Sequence, residues 1–528
     1  MLPDRKSRIQ VINMTNMWYE KILRTILDSK RDILFVIDPL KLMEYPTIRE
    51  IISEKYPTIE RYTNELELRR ILRRKEQGIL VTFVDKTDIA FDLIATYATI
   101  DIGINDIFPL LNTEALLNIP YENYQEIYED YNELKEDRYE RLSKLETENF
   151  IQTVLSPDTI VERKRITELK SRLNTLNTRL NTAILGSRDW TRISGEMSTI
   201  FGELQFISHN SNIDLNIEDL EMQINTVFKR YAIDYDFYNS LAFDTNTPIN
   251  SNILCHVFKN RANRTALICF DCMGFEEWNA IKHYLEKRID VTFDINDSFS
   301  MLPSETKYSS SALFAGLTPK DIKELDFINE MHWKNEERLF RYALNERQGI
   351  DDAHIYFKRC LDSTEIGINY GSFSDYYAIG LVFSFIDRFI HTSIMDKRAV
   401  IKNIQMRLET SELDKLVVAL LDQKFRLYFV SDHGSIYSKG NGINVSKDLV
   451  DLKAKRYLIG DKRELLEEYK TEDSVLIQLK NIIGDDFILL LTGDRMFARK
   501  SEKGLTHGGI SVEEVVIPFI EVKYNDRI

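Results

Sequence analysis

The sequence predicts an α/β protein: a mostly parallel C-terminal sheet flanked by helices, preceded by a small N-terminal α/β domain and a helical middle section. Three observations predict it. Short apolar runs recur after Arg264 with longer helical segments between them. The first 130 residues alternate in the same way on a smaller scale. Between the two lies a seam of aliphatic residues spaced three and four apart.

With 528 residues the chain exceeds one ordinary core. The texture places boundaries at 1–130, 131–260 and 261–528. In the N-terminal domain Ile33–Ile37 reads as a strand before a helix at Pro46–Lys55, and Gly78–Val84 as a strand after a helix at Glu65–Lys75. The domain ends in the acidic, Tyr-rich stretch Tyr121–Tyr139, which reads as a solvent-facing helix.

In the middle section Ile166, Leu169, Leu173, Leu176, Leu180 and Ile184 form an a/d seam among Lys, Arg, Glu, Asn and Thr. It fits a long helix in a hairpin packed on its own neighbours, or a coiled coil that makes the chain a homodimer. In the C-terminal part the strand-like runs are Ala266–Phe270, Ile355–Lys358, Leu381–Ile386, Leu427–Val430 and Val515–Val522.

Composition excludes several classes of protein. Hydrophobic residues are 43% and charged residues 29%, a globular balance, and no apolar run approaches the ~18 residues that span a bilayer. The N-terminus lacks the uninterrupted apolar segment of a secretory signal, so a cytoplasmic location is expected. Four cysteines, at 255, 269, 272 and 360, are too few for a disulfide framework. Cys269 and Cys272 form a C-x-x-C without the second pair of a zinc site, so neither thiol is assigned as a ligand. A net charge of −15 excludes a general basic surface for duplex DNA, so an anionic substrate would need metal ions or a few placed cations.

Three apolar runs in the C-terminal domain end on an acid: Phe270-Asp271, Ile386-Asp387 and Val430-Ser431-Asp432-His433-Gly434. One such acid reads as a helix N-cap. Three place anionic ligands along the carboxyl edge of one sheet. Three of the eight histidines accompany them: His391 four residues after Asp387, His433 beside Asp432, and His507 in Thr506-His507-Gly508-Gly509. A spacing of four sets Asp387 and His391 on one side of a helical turn, within reach of one ion. His209, His256, His283, His332 and His354 lack such company and read as structural. In Leu302-Pro303-Ser304-Glu305-Thr306-Lys307-Tyr308, a hydroxyl precedes small residues able to begin a helix whose N–H groups would stabilise a transferred phosphate. Alone, it is a Ser/Thr-rich capping loop.

In motif order and spacing, residues 265–528 resemble the PglZ proteins. These belong to the alkaline phosphatase superfamily and occur in bacterial anti-phage BREX systems and in some signalling proteins. Asp271 with the acidic-Trp tail Glu276-Glu277-Trp278 resembles the family's first metal-binding acid. Thr306 is similar to the superfamily's nucleophile, Asp387 and His391 to its D-x-x-x-H pair, Ser431–Gly434 to its S-D-H-G signature and His507 to its final histidine. The stretch His507–Pro518 is the most PglZ-like, and Arg61–Phe83 more loosely resembles the N-terminal part of BREX-type members. No receiver domain is apparent, which argues against a response-regulator member. Two positions depart: Ile390 stands where many superfamily members place Gly, and Gly274 where many PglZ proteins carry Arg.

The resemblance implies an alkaline-phosphatase-like fold and two divalent metal ions, zinc first and manganese second. It assigns Asp271, Thr306, Asp432 and His433 to one ion, and Asp387, His391 and His507 to the other. Thr306 would attack phosphorus and form a phosphothreonine intermediate. Lys307, beside it, is a candidate phosphate contact, against the commoner fate of a solvated lysine. The expected function is a phosphodiesterase or nuclease acting on nucleic acid or oligonucleotides within a phage-defence complex, alongside an ATPase or methyltransferase. The alternatives are a phosphomonoesterase or phosphomutase, which relative rates on mono- and diesters would separate, and a non-catalytic scaffold, which would bind its partner and hydrolyse nothing.

Overall fold

A computed structural model of the chain describes residues 16–73, 77–137, 139–182, 185–204, 217–234, 238, 249–259, 263–392, 397–445 and 454–525. Of the residues singled out above, Ile184 and His209 lie outside these. The chain divides into two compact units, Met1–Glu168 and Leu169–Ile528.

The first unit is built on four parallel strands, β1 (Ile33–Ile37), β2 (Thr58–Arg61), β3 (Ile79–Phe83) and β4 (Ala98–Asp101), in the order β2-β3-β1-β4. Helices α1 (Pro46–Ser53) and α2 (Glu65–Arg73) fall where the sequence predicts them. Side chains of β1 alternate between two cores, Leu34 and Val36 facing one and Phe35 and Ile37 the other, as a doubly covered parallel strand requires. One expectation needs correction. Helix α3 (Tyr124–Asp137) is not simply solvent-facing, since Tyr124, Ile127 and Tyr131 are buried in the core. Their spacing of three and four makes an apolar stripe, and the Phe108 ring stands edge-on to both tyrosines.

The seam helix α4 (Pro157–Thr182) enters the second unit at Leu169 and is followed there by α5 (Ser187–Leu204). Leu169, Leu173, Leu176 and Leu180 share one core with Trp190, Ile193, Met197 and Ile200. Arg172 bridges to Glu196 at 2.5 Å and Glu203 at 2.8 Å across the hairpin. Leu169, Leu173, Leu176 and Leu180 of the seam are therefore covered from within the chain.

The main sheet has six strands: β5 (Thr265–Phe270), β6 (Val291–Asn296), β7 (Ile355–Cys360), β8 (Ala378–Phe383), β9 (Arg426–Val430) and the last strand of the unit, Phe519–Tyr524. Strands β7, β8, β5 and β9 are parallel neighbours in that order. The last strand runs antiparallel between β9 and β6. Ala266, Ile268 and Phe270 of β5 face one core, while Leu267 and Cys269 face the other. Full burial of a Leu, Ile or Phe contributes about 1.5–3 kcal/mol, so the central strand strongly fixes register. Helices α6 (Asn250–Val257), α7 (Phe275–Glu286), α8 (Thr306–Ala315) and α9 (Glu336–Asn345) cover the sheet.

Two of the expected strands are partly helical. The run Leu381–Ile386 breaks at Ser384: β8 ends at Phe383, and α10 (Phe385–Thr392) begins at once. Phe385, Ile386 and Ile390 are buried from that helix, so Asp387 lies in a first helical turn and not at a strand end. The run Val515–Val522 likewise starts as a helical turn, Val512–Val515, and becomes a strand only after Pro518, which has no N–H for a ladder. Helix α11 (Lys397–Ser411) packs beside α7. Two three-stranded sheets complete the unit, from β10 (Ile436–Gly440), β11 (Tyr457–Gly460), β12 (Ser474–Gln478), β13 (Phe487–Leu491), β14 (Arg495–Met496) and β15 (Lys503–Thr506). Phe519–Tyr524 is hereafter β16.

Candidate metal centre

Parallel β5 and β9 deliver their carboxyl ends side by side, which brings Asp271 next to Ser431, Asp432 and His433. Ser431 Oγ accepts from Met273 N at 2.9 Å and lies 3.1 Å from Phe270 O, stitching the two strand ends together. Asp432 Oδ1 accepts from Cys272 N at 3.1 Å and from its neighbour His433 N at 2.9 Å. Its Oδ2 is buried and has no hydrogen-bond partner. The close turn demands a glycine after His433, because a Cβ on Gly434 would sit 2.0 Å from Glu513 O.

Asp271, Asp432 and His433 present donor atoms within 4.8 Å of one another, all buried. Thr306, the first residue of α8, holds its Oγ1 3.0 Å from His433 Nε2 and 3.4 Å from Asp271 Oδ1. His433 Nδ1 lies 3.1 Å from Gly434 O, which suits a protonated Nδ1 and leaves Nε2 as a lone-pair donor. Burial first, and then the Asp432 charge, push the Asp271 carboxyl well above its usual range, with Arg359 opposing them.

A second group meets the first. Asp387, His391 and His507 also bring donor atoms within 4.8 Å of one another. His391 Nε2 lies 3.0 Å from Asp387 Oδ1 and 3.0 Å from His507 Nε2. The His507 ring stacks on His433 with centroids 4.3 Å apart, and its Nδ1 is 3.3 Å from Ser304 O. Burial opposes ionisation of Asp387, yet the His391 bond and the surrounding imidazoles hold it well below the usual carboxylate range. Burial and the neighbouring His433 and His391 push His507 well below the usual imidazole range, so the ring is neutral and its lone pair available.

Lys307 follows Thr306 on α8. Its Nζ is 3.9 Å from Glu305 and lies over the Tyr308 and Tyr457 rings at 5.1 and 5.6 Å. The other described histidines lie elsewhere: His256 packs on Phe519, His332 Nδ1 accepts from Lys334 N, and His354 meets Asp375 O. His283 sits on α7. Of the two departures noted in the sequence, Ile390 is buried in the core beneath α10, and Gly274 caps α7, where a Cβ would meet the Glu277 carboxylate at 2.9 Å.

Three features of the centre are not legible in the sequence. Cys272, set aside as a ligand, places its sulfur within 4.8 Å of His433 and His507 donor atoms. Arg359 bonds Asp271 Oδ2 through Nη2 and both oxygens of buried Glu336 through Nη1, at 2.6 and 2.8 Å. Its place just after the expected strand Ile355–Lys358 was the available signal. Finally, fully buried Arg456 donates to Glu514 Oε1 at 2.8 Å, and Glu514 accepts from Gly509 N and Ser511 N, fixing the turn that carries His507.

The donor set fits divalent metal ions. Mixed carboxylate and imidazole donors, an orphaned buried carboxylate oxygen and two imidazole nitrogens 3.0 Å apart are arrangements that a cation satisfies.

Comparison with known proteins agrees with this architecture. Residues 252–522 match the family model of the BREX system PglZ alkaline phosphatase-like domain. No curated protein matches the chain. Among solved structures, murine ectonucleotide pyrophosphatase/phosphodiesterase 5, as an inactive variant in complex with AMP, aligns at 11% identity over 49% of this chain and 87% of that one, with a TM-score of 0.34. The human protein aligns at 12% identity over 49% and 88%, with a TM-score of 0.32. Those superpositions are too loose to add to the assignment.

Proposed function

The chain belongs to the PglZ family of alkaline-phosphatase-like domains, and from that premise we propose that residues 261–528 are a divalent-metal-dependent phosphodiesterase whose nucleophile is Thr306. The observation that carries the reading is one hydroxyl at a helix start, 3.0 Å from His433, beside two adjoining groups of carboxylate and imidazole donors. In this reading Asp271, Asp432 and His433, with Thr306, hold one ion, and Asp387, His391 and His507 hold a second. Zinc suits the imidazoles and manganese the carboxylates. Such ions supply Lewis acidity and lower the pKa of an oxygen bound to them.

The chain's own residues do the rest. Thr306 Oγ is aimed by its place at the start of α8, where the N–H groups of Thr306 and Lys307 precede the first helical bond, from Tyr308 N to Glu305 O. N–H groups at a helix start stabilise the negative charge of a phosphoryl oxygen. Thr306 Oγ loses its proton as it attacks phosphorus and forms a Thr–O–P ester, while the bond to the leaving oxygen breaks and that oxygen takes up a proton; water then hydrolyses the ester, restoring the hydroxyl and releasing a phosphomonoester. His433 is oriented by its contact with Gly434 O, and His507 by Ser304 O.

The substrate is a nucleic acid or oligonucleotide, and the setting a BREX-like anti-phage complex with ATPase or methyltransferase partners. Among the described residues no helix is long and apolar enough to cross a membrane. The test compares wild type with Thr306→Ala and His507→Ala on an oligonucleotide panel and on matched nitrophenyl mono- and diesters. Diester turnover should fall at least about 10³-fold in both variants. Equal rates would dispose of the mechanism, and a preference for the monoester would move the enzyme to the phosphatase branch.

A further inference from the structure

We propose that the three-stranded sheet β14-β10-β15 binds the sugar-phosphate backbone of a single-stranded oligonucleotide. The inference deepens the reading of residues 261–528 as a phosphodiesterase and rests on it. Its ground is a row of cations that the strand register sets side by side.

Lys439 of β10 pairs with Arg495 of β14 on one side and with Lys503 of β15 on the other. Residues in register share a face, so three positive charges stand abreast on one face of the sheet, about 5 Å from strand to strand. Like charges directly opposite one another destabilise a sheet. The row therefore works against folding, and a polyanion laid across it accounts for it. Arg499 and Lys500 stand at the same end. The loop that carries them folds back over the end of β10, with Gly440 N bonded to Glu502 O and Gly442 N to Ala498 O, both at 2.9 Å. It comes so close that a Cβ on Gly440 would sit 1.9 Å from Arg499 O. Arg499, Lys500 and Lys503 are exposed.

Three acids accompany the cations. Lys439 Nζ lies 3.1 Å from Asp494, Arg495 Nε lies 3.5 Å from both Asp473 and Asp494, and Lys455 Nζ lies 3.3 Å from Glu502. These pairs are open to solvent, where an ion pair is weak and salt screens it. Lys439, Lys455, Arg495, Arg499, Lys500 and Lys503 outnumber them, a local excess of positive charge in a chain of net charge −15. Such an excess attracts a nucleic-acid backbone by releasing its counterions.

The sheet also lies where a bound strand would pass. Strand β10 begins just after Gly434, and β15 ends just before His507, with Ile436 paired to Thr506 at the end nearest the centre. The row crosses the sheet three residues further out, about 10 Å away, which is the rise of about three stacked nucleotides. Fully buried Arg456 donates to Ser438 Oγ at 3.1 Å, to Gly493 O at 2.8 Å and to Glu514 at 2.8 Å, so the sheet and the turn that bears His507 are held in one frame. The row is about 10 Å wide over two strand spacings, enough for one backbone, and the net negative charge of the chain argues against the second backbone of a duplex.

The experiment measures fluorescence anisotropy of labelled thymidine oligonucleotides, a four-mer and a twelve-mer, on the full chain carrying Thr306→Ala so that turnover does not deplete the probe. Salt is varied between about 0.05 and 0.3 M. The twelve-mer should bind more tightly than the four-mer. Adding Lys439→Gln, Arg495→Gln and Lys503→Gln together should weaken the twelve-mer roughly 30- to 100-fold at about 0.1 M salt and reduce the slope of log K against log salt by about 2, or ~0.7 for each of three phosphates. Lys503→Gln alone should weaken it about 5-fold, and it carries the test if the triple variant does not fold, which a thermal melt shows. Affinity within about twofold of the parent in the folded variants, with the salt slope unchanged, overturns the proposal. So does tighter binding of a polyglutamate peptide than of the twelve-mer, which hands the row to an acidic protein. If wild type hydrolyses the nitrophenyl diester while the parent binds no twelve-mer, this proposal falls alone; if neither occurs, the reading beneath it falls too.

Discussion

Asp432 shows how much of the centre is decided by single atoms. Its Oδ1 is pinned by two backbone N–H groups, while its buried Oδ2 has no hydrogen bond and lies 3.6 Å from His433 Nε2, near a second carboxylate, Asp271. Asp432→Asn removes one buried charge and keeps the pinned acceptor. In chelator the variant should therefore melt at or above wild type, and in excess zinc it should lose most of the metal's stabilisation, about 3 kcal/mol at a hundredfold excess over Kd. Thermal melts with and without chelator check both signs. Gly434→Ala should abolish activity and sharply lower the melting temperature, because its Cβ would overlap Glu513 O. At this scale the sequence was most legible where chemistry is unusual: acids beside histidines and a glycine after them. Arg359 was not legible, because an arginine acquires its role only from what it meets, and Asp271 and Glu336 are brought to it by the fold.

Elements were legible wherever an apolar period matched one structure. The strands β1, β3, β5 and β9 follow from short aliphatic runs, since a doubly covered strand has no polar face to interrupt it. The same signal misled at Leu381–Ile386, where β8 passes into α10 without a polar break. Periodicity alone cannot separate a buried strand from the buried first turn of a helix. The α4–α5 hairpin makes its own prediction. Leu176→Ala should cost about 2–5 kcal/mol, with no change of mass in solution, because Leu176 packs within the chain. Denaturant melts and light scattering test the two halves. The Arg456–Glu514 pair, entirely buried, anchors the turn that bears His507. Glu514→Gln leaves an uncompensated buried guanidinium, with an expected loss of about 3–5 kcal/mol, and should weaken zinc binding at a distance from the donors themselves. Calorimetry alongside a melt separates that coupling from simple destabilisation.

For the whole molecule, every donor of the candidate centre falls in the unit Leu169–Ile528. Those donors come from five places in the chain: the ends of β5 and β9, the start of α8, the helix α10, and the turn after β15. Strand β16 lies between β9 and β6, so the six-stranded sheet is interrupted until residues 519–524 enter it. A chain growing on the ribosome presents Asp271 first, Asp387 and Asp432 later, and His507 and β16 last of all. No shorter nascent segment contains both the full ligand set and the strand that closes the sheet beneath it. Synthesis thereby orders the arrival of the donors in time, and the strand that joins the two sides of the sheet is made after all of them.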